Sequence, residues 1–320
     1  MHRLSSPELE VLVDPDRGAD IVSVVPARLG RNVLFATPWS ESPALSCPPP
    51  AGGDSWADWH ARYRGGWQVL CPNAGDERPA YGTVWGFHGE AALVPWRVLA
   101  SGQAEIVLET ELTTAPLRLH REIRVSGSTL RVAERLTNLA PVPLEVDWVH
   151  HPAFGHPLVD RGARLATSAT RLLADQVAPG PLLDADAVHD WPLEAVAALP
   201  GCDEPRSVFA CLTGFTGRAW YTITNPALDL AVRVTWPARI WPHAWLWQEV
   251  HGSTAFPWFG RGHACAVEPA STIPGTGTTG GHRRGGRVAL GAGESRDGDL
   301  ELTVSRADEP RAQPSAGSSR

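Results

Sequence analysis

Three residues of this 320-residue chain carry side chains fit for proton transfer at positions where such side chains are costly: His88, His151 and Glu268. His88 has Gly86 before it and Gly89 after it, which implies a backbone drawn close to a ligand or bent sharply to aim the imidazole. His150 and His151 end an apparent strand running through Val149, directly before Pro152, which holds its predecessor extended. By alternation His150 shares the apolar face of Val146 and Trp148, and His151 the face of Glu145 and Asp147. A polar face that lines a cleft makes His151 the chemical member; otherwise the pair is a strand end met by solvent. Glu268 closes the apolar run Ala264-Cys-Ala-Val-Glu before Pro269, where an aliphatic residue is the norm. Burial there raises its pKa unless cations or hydrogen bonds compensate, giving a general base of adjustable strength; the competing reading is a surface glutamate at a strand terminus.

Other chemistries find less support. His88, Glu90, His150 and His151 include enough donors for a three-ligand metal site, but His-x-His and H-E-x-x-H are both missing, so no metal is expected. There is no G-x-S-x-G elbow, no P-loop and no G-x-G-x-x-G after a strand. Cysteines 47, 71, 202, 211 and 265 are odd in number and lack C-x-x-C spacing, which argues for reduced thiols and a cytoplasmic location. With 28 basic and 35 acidic residues, and no basic cluster interleaved with aromatics, nucleic acid is excluded as a partner. The N-terminus has no apolar h-region, and no apolar run reaches about 18 residues, so neither a secretory signal nor a membrane span is expected.

The elements that must position these groups read as strands. From about residue 104 the hydrophobic period is two: Leu117, Leu119, Ile123 and Val125 are apolar, whereas Arg118, His120, Glu122 and Arg124 face the other way. The habit continues through Leu130 to Leu136, Val142 to Trp148, Val208 to Leu212, Ala219 to Thr224, Leu228 to Trp236, Ala244 to Val250, Ala264 to Glu268 and Leu300 to Val304. Leu9 to Val13 and Ile21 to Val25 form an expected hairpin around Asp14-Pro-Asp-Arg-Gly18. Trp56, Trp59, His60 and Tyr63 recur at helical spacing behind Asp54 or Ser55, as a packing face rather than a ligand site; a second helical piece is expected over 190–199. Composition predicts loops after Trp39 to Gly53 and over 274–287. The expected organisation is a single all-β domain over 1–305, with a disordered tail over 306–320.

The stretch from Arg64 through Gly75 to Trp96, with its glycine pairs and mid-strand proline, reads as one wall of a sugar-sized cleft. Gly65-Gly66-Trp-Gln-Val-Leu-Cys-Pro72-Asn73, then His88-Gly89 with Pro95-Trp96, then His151-Pro-Ala-Phe154-Gly155, then Val267-Glu268-Pro269 resemble, in order and spacing, the aldose 1-epimerase (galactose mutarotase) superfamily. The resemblance implies a β-supersandwich of large antiparallel sheets with an open sugar cleft, few short helices and cofactor-free chemistry on a monosaccharide or sugar-like hemiacetal, by a monomer or homodimer. It implies that Glu268 removes the proton from the anomeric hydroxyl, that His151 protonates the ring oxygen, and that His88 and Asn73 help hold the sugar. Opening a hemiacetal does need a base at O1 and an acid at O5, and reclosure swaps their roles.

This chain departs from the pattern His-Gly-Phe-Ala-Arg, having His88-Gly-Glu-Ala-Ala92. The arginine is missing; Arg64 or Arg78 is expected to substitute, and Glu90 to favour hydroxyl groups over phosphate. For an aspartate that relatives carry on a later strand, Asp229 and Glu249 are the candidates, and Trp241, Trp245, Trp247 and Trp258 offer an aromatic face for a pyranose ring. The alternative function is a non-catalytic carbohydrate-binding or regulatory module on the same fold; a metal-dependent isomerase is a third, decided by metal analysis.

Overall fold

The computed structural model describes residues 1–42, 54–274 and 287–308. The greater part of both expected loops, the tail beyond Asp308, and Cys47 lie outside the described residues. Two antiparallel sheets dominate. The first has ten strands in the spatial order His2–Ser5, Leu9–Asp14, Asp20–Pro26, Trp67–Leu70, Val149–Gly155, His263–Ala270, His243–Val250, Arg206–Thr213, Arg171–Ala174 and Val188–Asp190. The second has eight, in the order Arg164–Thr167, Arg218–Asn225, Leu230–Pro237, Ser295–Ser305, Thr129–Asn138, Leu117–Ser126, Glu105–Glu111 and Arg97–Ser101. The chain is all-β; among the described residues the helical pieces are the two-turn Ser55–Arg62, a single turn at Glu194–Ala197 and a 3-10 turn at Pro226–Leu228.

Burial separates the two sheets as the period-two pattern requires. Strands of the eight-stranded sheet alternate buried and partly exposed residues, as in Leu117–Ser126 and Thr129–Asn138, because one face meets solvent. Trp67–Leu70, Val149–Gly155 and almost all of His263–Ala270 are buried on both faces. One face packs against the second sheet through Trp67, Val69, Phe154, Cys265 and Val267; the other joins a smaller cluster with Leu70, Val149, Ala153, Ala264, Ala266 and Ala270. Something other than the second sheet therefore covers that face, and the helix Ser55–Arg62 supplies part of it through Trp59 and Tyr63.

Between the sheets lies a buried polar knot. Glu134 is ion-paired with Arg121, accepts from the Trp148 indole at 2.9 Å, and sits 3.2 Å from His150 Nε2. His150 Nδ1 in turn accepts from Trp67 Nε1 at 3.2 Å. With His150 fixed in the interior, alternation turns His151 to the opposite face.

Two local expectations change. Val142 to Val149 is not one strand: Leu144–Val146 pairs with Val288–Leu290, and the large sheet is entered only at Val149. The break falls where the Asp147 amide turns aside to the Pro72 carbonyl at 2.9 Å. The helix over 190–199 shrinks to Glu194–Ala197, because pairing with Arg171–Ala174 takes Val188–Asp190 into the sheet. Among the described residues no helix is long and apolar enough to cross a membrane.

Candidate active site

Pro152 and Pro269 do not end their strands. Both sit inside Val149–Gly155 and His263–Ala270, so His151 and Glu268 are mid-strand residues of the central strands. Val149 pairs with Ala270 and Ala153 with Ala266, a register that sets His151 level with Glu268 on the same face. On either side of that pair the ladder continues the row: Gln68 opposite His151, and Trp245 opposite Glu268. The neighbouring positions on this face are alanines 153, 264, 266 and 270, whose small side chains leave room above the sheet.

That room is a cleft of about 350 Å³. Its floor holds His151 and Glu268; its walls are the helix residues Trp56, Trp59, His60 and Tyr63, the Phe87-His88 turn, and Trp245, Trp247 and Trp258. His151 Nε2 lies 3.4 Å from Glu268 Oε1, with the two residues 5% and 2% exposed. Glu268 Oε2, His151 Nδ1, Tyr63 Oη and Trp59 Nε1 are buried without a hydrogen-bond partner among the described residues. Four buried polar atoms in one cleft lining form a site waiting for polar partners, since such atoms are costly to leave unmet.

Burial pushes the Glu268 carboxyl well above the ordinary carboxylate range and brings His151 down to about 4. Both shifts favour the uncharged forms, carboxylic acid beside neutral imidazole. Moving the carboxyl proton across 3.4 Å gives carboxylate and imidazolium, with no exchange with solvent. His60 is likewise held neutral, at about 4, by burial, and its Nδ1 lies 2.8 Å from the Trp56 carbonyl.

His88 is aimed by its backbone. It sits at φ 60°, in the left-handed region that non-glycine residues avoid, and its Nδ1 accepts from the Gly75 amide at 2.9 Å. That bond puts the proton of the neutral ring on Nε2, making His88 a donor. Burial first, then the neighbouring His151 and His60, hold its pKa well below the ordinary value. Gly89 allows the turn: a Cβ there would fall 2.5 Å from the Cys71 carbonyl oxygen.

A family model described as "Domain of unknown function (DUF4432)" matches residues 3–304. The chain belongs to that family. No curated protein matches the chain. Among solved structures, the galactose mutarotase related enzyme from Lactobacillus acidophilus superposes with a TM-score of 0.72 at 14% identity, over 96% of this chain and 98% of that one. A galactose mutarotase-like protein from Lactobacillus casei ATCC 334 gives 0.69 at 15% identity, over 95% of this chain and 100% of that one. The Slr1438 protein from Synechocystis sp. PCC 6803 gives 0.69 at 17% identity, over 95% of each chain. These likenesses establish a galactose mutarotase-like β-sandwich.

In this DUF4432 chain the residues expected at the site divide sharply. His151, Glu268, His88, Trp247 and Glu249 line the cleft, together with Trp245 and Trp258. Glu249 is already engaged there: its carboxylate accepts from the Gly252 and Ser253 amides at 2.9 Å and the Ser253 hydroxyl at 2.6 Å, fixing the loop that follows its strand. Asn73 is fully buried beneath the site, donating to the Asp76 and Gly86 carbonyls at 2.9 Å and accepting from Arg78 Nε at 2.9 Å. It ties the His88 turn down instead of meeting a ligand.

The missing arginine is not replaced from the expected positions. Arg78 lies buried over the Trp85 ring, 3.8 Å from Asp147, and Arg64 reaches Asp14 at 3.3 Å; neither lines the cleft. Glu90 is also outside it, its carboxylate taken by the Thr113 and Thr114 amides and the Thr113 hydroxyl. Asp229 pairs with Arg28 and Arg306, and Trp241 packs between the sheets on Trp148 and His150. The glycine pair 65–66 serves the protein's own backbone: a Cβ on Gly65 would lie 2.1 Å from the Phe35 carbonyl oxygen, and one on Gly66 2.6 Å from that of Ile21.

Sequence reasoning missed the helix as a wall. Trp59 and Tyr63 stack at 4.7 Å, as a packing stripe does, yet their ring centres lie 6.1 and 5.6 Å from that of His151. The spacing was legible; which side of the helix faced a cavity was not. Gln68, buried beside His151 in the row with Oε1 unpartnered, stood inside the Gly65-to-Asn73 motif but was not singled out. Among the described residues no three histidine, cysteine, aspartate or glutamate side chains are grouped to hold a metal ion.

Proposed function

We propose that this chain is an aldose 1-epimerase-like isomerase that interconverts the anomers of a free sugar or sugar-like hemiacetal by ring opening and reclosure, without a cofactor. The observation that carries the reading is the 3.4 Å approach of His151 Nε2 to Glu268 Oε1 on the floor of a cleft where Glu268 Oε2, His151 Nδ1, Tyr63 Oη and Trp59 Nε1 have no hydrogen-bond partner among the described residues. O1 and O5 of a hemiacetal are bonded to one carbon, so the base and acid that act on them must be close neighbours. Glu268 takes the O1 proton as the C1–O5 bond breaks, and His151 delivers a proton to O5, giving the open-chain aldehyde. After rotation about C1–C2 the two residues exchange roles and the ring closes on the other face.

Sugar hydroxyls supply the hydrogen bonds that favour carboxylate and imidazolium over the neutral pair. His88 Nε2–H, Tyr63 and the Trp59 indole offer donors around the reacting centre. Among the described residues that line the cleft there is no lysine or arginine, while Asp76, Asp175, Glu249 and Glu268 are acidic, which favours an unphosphorylated substrate. The thiols of Cys71, Cys202, Cys211 and Cys265 are free, in keeping with the reducing cytoplasm.

Optical rotation of freshly dissolved α-glucose, α-galactose and a wider panel of aldoses tests the reading. Wild type is expected to accelerate the approach to equilibrium for at least one sugar, and Glu268→Gln to lower that rate by about 100-fold or more while sugar binding persists. Binding without acceleration, indifferent to Glu268→Gln, would establish the non-catalytic module instead.

A further inference from the structure

The cleft is longer than its reacting end. Tyr63 and Trp59 lie beside His151, whereas Trp56, also on the lining, comes three residues before Trp59, about 4.5 Å further along the helix axis. A cleft of about 350 Å³ falls within the range of small-molecule sites.

Among the described residues the outer end is apolar and exposed. Trp56 meets Phe256 at 5.6 Å, and Phe256 meets Phe259 at 6.3 Å. Phe256 and Phe259 are 41% and 57% exposed, and Val177, on the cleft's own lining, is 68% exposed. Phe256 and Phe259 adjoin the lining through Trp56, and exposed apolar side chains beside a site mark a surface for binding. Flat aromatic faces suit the C–H face of a sugar ring, as Trp and Tyr do wherever one side of a contact is apolar and its edge wet. The described residues of the lining include the carboxylates Asp76, Asp175 and Glu249 and no arginine or lysine, which disfavours anions.

We infer that the cleft carries an outer subsite, built on Trp56, Phe256 and Val177, for the second ring of an uncharged reducing disaccharide. The inference rests on the epimerase reading for the direction of the sugar: the free anomeric centre goes inward to His151 and Glu268, so the linked ring must extend toward the mouth.

The test compares glucose and galactose with maltose, cellobiose, lactose and gentiobiose, by mutarotation kinetics and by tryptophan fluorescence titration. At least one disaccharide is expected to exceed both monosaccharides in kcat/KM. Phe256→Ala is expected to lower the disaccharide-to-monosaccharide ratio by about fivefold, the scale of one lost aromatic stacking contact. A wild-type ratio at or below one, or a ratio unmoved by Phe256→Ala, overturns the subsite. If no sugar is turned over, the catalytic reading fails separately, and the titration still decides: disaccharide binding weakened by Phe256→Ala upholds the subsite, and binding that is absent or indifferent to it does not.

Discussion

His151→Gln should cost activity and yet make the protein more resistant to acid. Burial holds the His151 imidazole at about 4, against an ordinary value of 6.5. Between those values the unfolded chain binds a proton that the folded chain refuses, so wild-type stability falls as pH drops through that window. The difference at this one residue amounts to about 2 kcal/mol at pH 5 and about 3 kcal/mol at pH 4, relative to neutral pH. Glutamine has similar reach and does not titrate. His60 and His243, also held at about 4 by burial, are present in both proteins and cancel. Urea unfolding followed by tryptophan fluorescence, at pH 7 and pH 5, gives the required difference of differences. The variant should gain about 2 kcal/mol on wild type between the two conditions, while its mutarotation rate at pH 7 falls by about 100-fold. No pH-dependent difference would mean that the imidazole is not desolvated. A change of opposite sign, with wild type gaining on acidification, would mean that His151 is protonated in the empty cleft and that the pair rests as carboxylate and imidazolium. Either result refutes the neutral resting pair.

The supports of the site make further predictions. Asn73→Ala removes the side chain that ties down the His88 turn, and should destabilise the fold by about 2–4 kcal/mol and raise KM, read by urea unfolding and initial rates. Glu249→Ala frees the Gly252-Ser253 loop, which should raise KM severalfold with a smaller effect on kcat; a fall in kcat alone would place Glu249 in the chemistry itself. Arg121→Met leaves Glu134 buried without its strongest cation, at a cost of about 3–5 kcal/mol. Glu134 is held at about 2, chiefly by Arg121 and then His150 against the opposing effect of burial, so its contribution is present above pH 4.5 and lost as pH falls toward 2. The deficit of Arg121→Met relative to wild type should therefore shrink in acid, which urea midpoints across that range would measure.

The strands were legible because their chemistry is local. A period of two over Leu117 to Val125 states that one face is buried, and the observed strand alternates accordingly. His150 and His151 were separated by the same parity, and correctly, although the strand carrying them begins only at Val149. What parity cannot supply is a stop signal: Pro152 and Pro269 look like terminators, yet each sits inside a central strand. Proline there leaves a gap in the ladder beside each of the two proposed catalytic residues, which the surrounding pairs Val149–Ala270 and Ala153–Ala266 hold in register.

The supporting residues were misread for a physical reason that no longer stretch of sequence would remove. A glycine required by close approach reads the same whether a ligand or another carbonyl approaches; at Gly65 it is Phe35, and at Gly89 it is Cys71. Glu90, Arg64 and Arg78 are charged residues near a presumptive site, and each finds its partner within the protein. His88 differs from all of these because two constraints converge on it. Its backbone is held in a left-handed conformation, and its Nδ1 is already occupied by Gly75, so the only free ring nitrogen is the one that donates. His251 shares both constraints, with φ 52° and its Nδ1 2.8 Å from the Gly260 carbonyl, but lies off the cleft lining, so it is the position of His88 beside His151, and not its backbone alone, that supports the proposed role as a donor to the sugar.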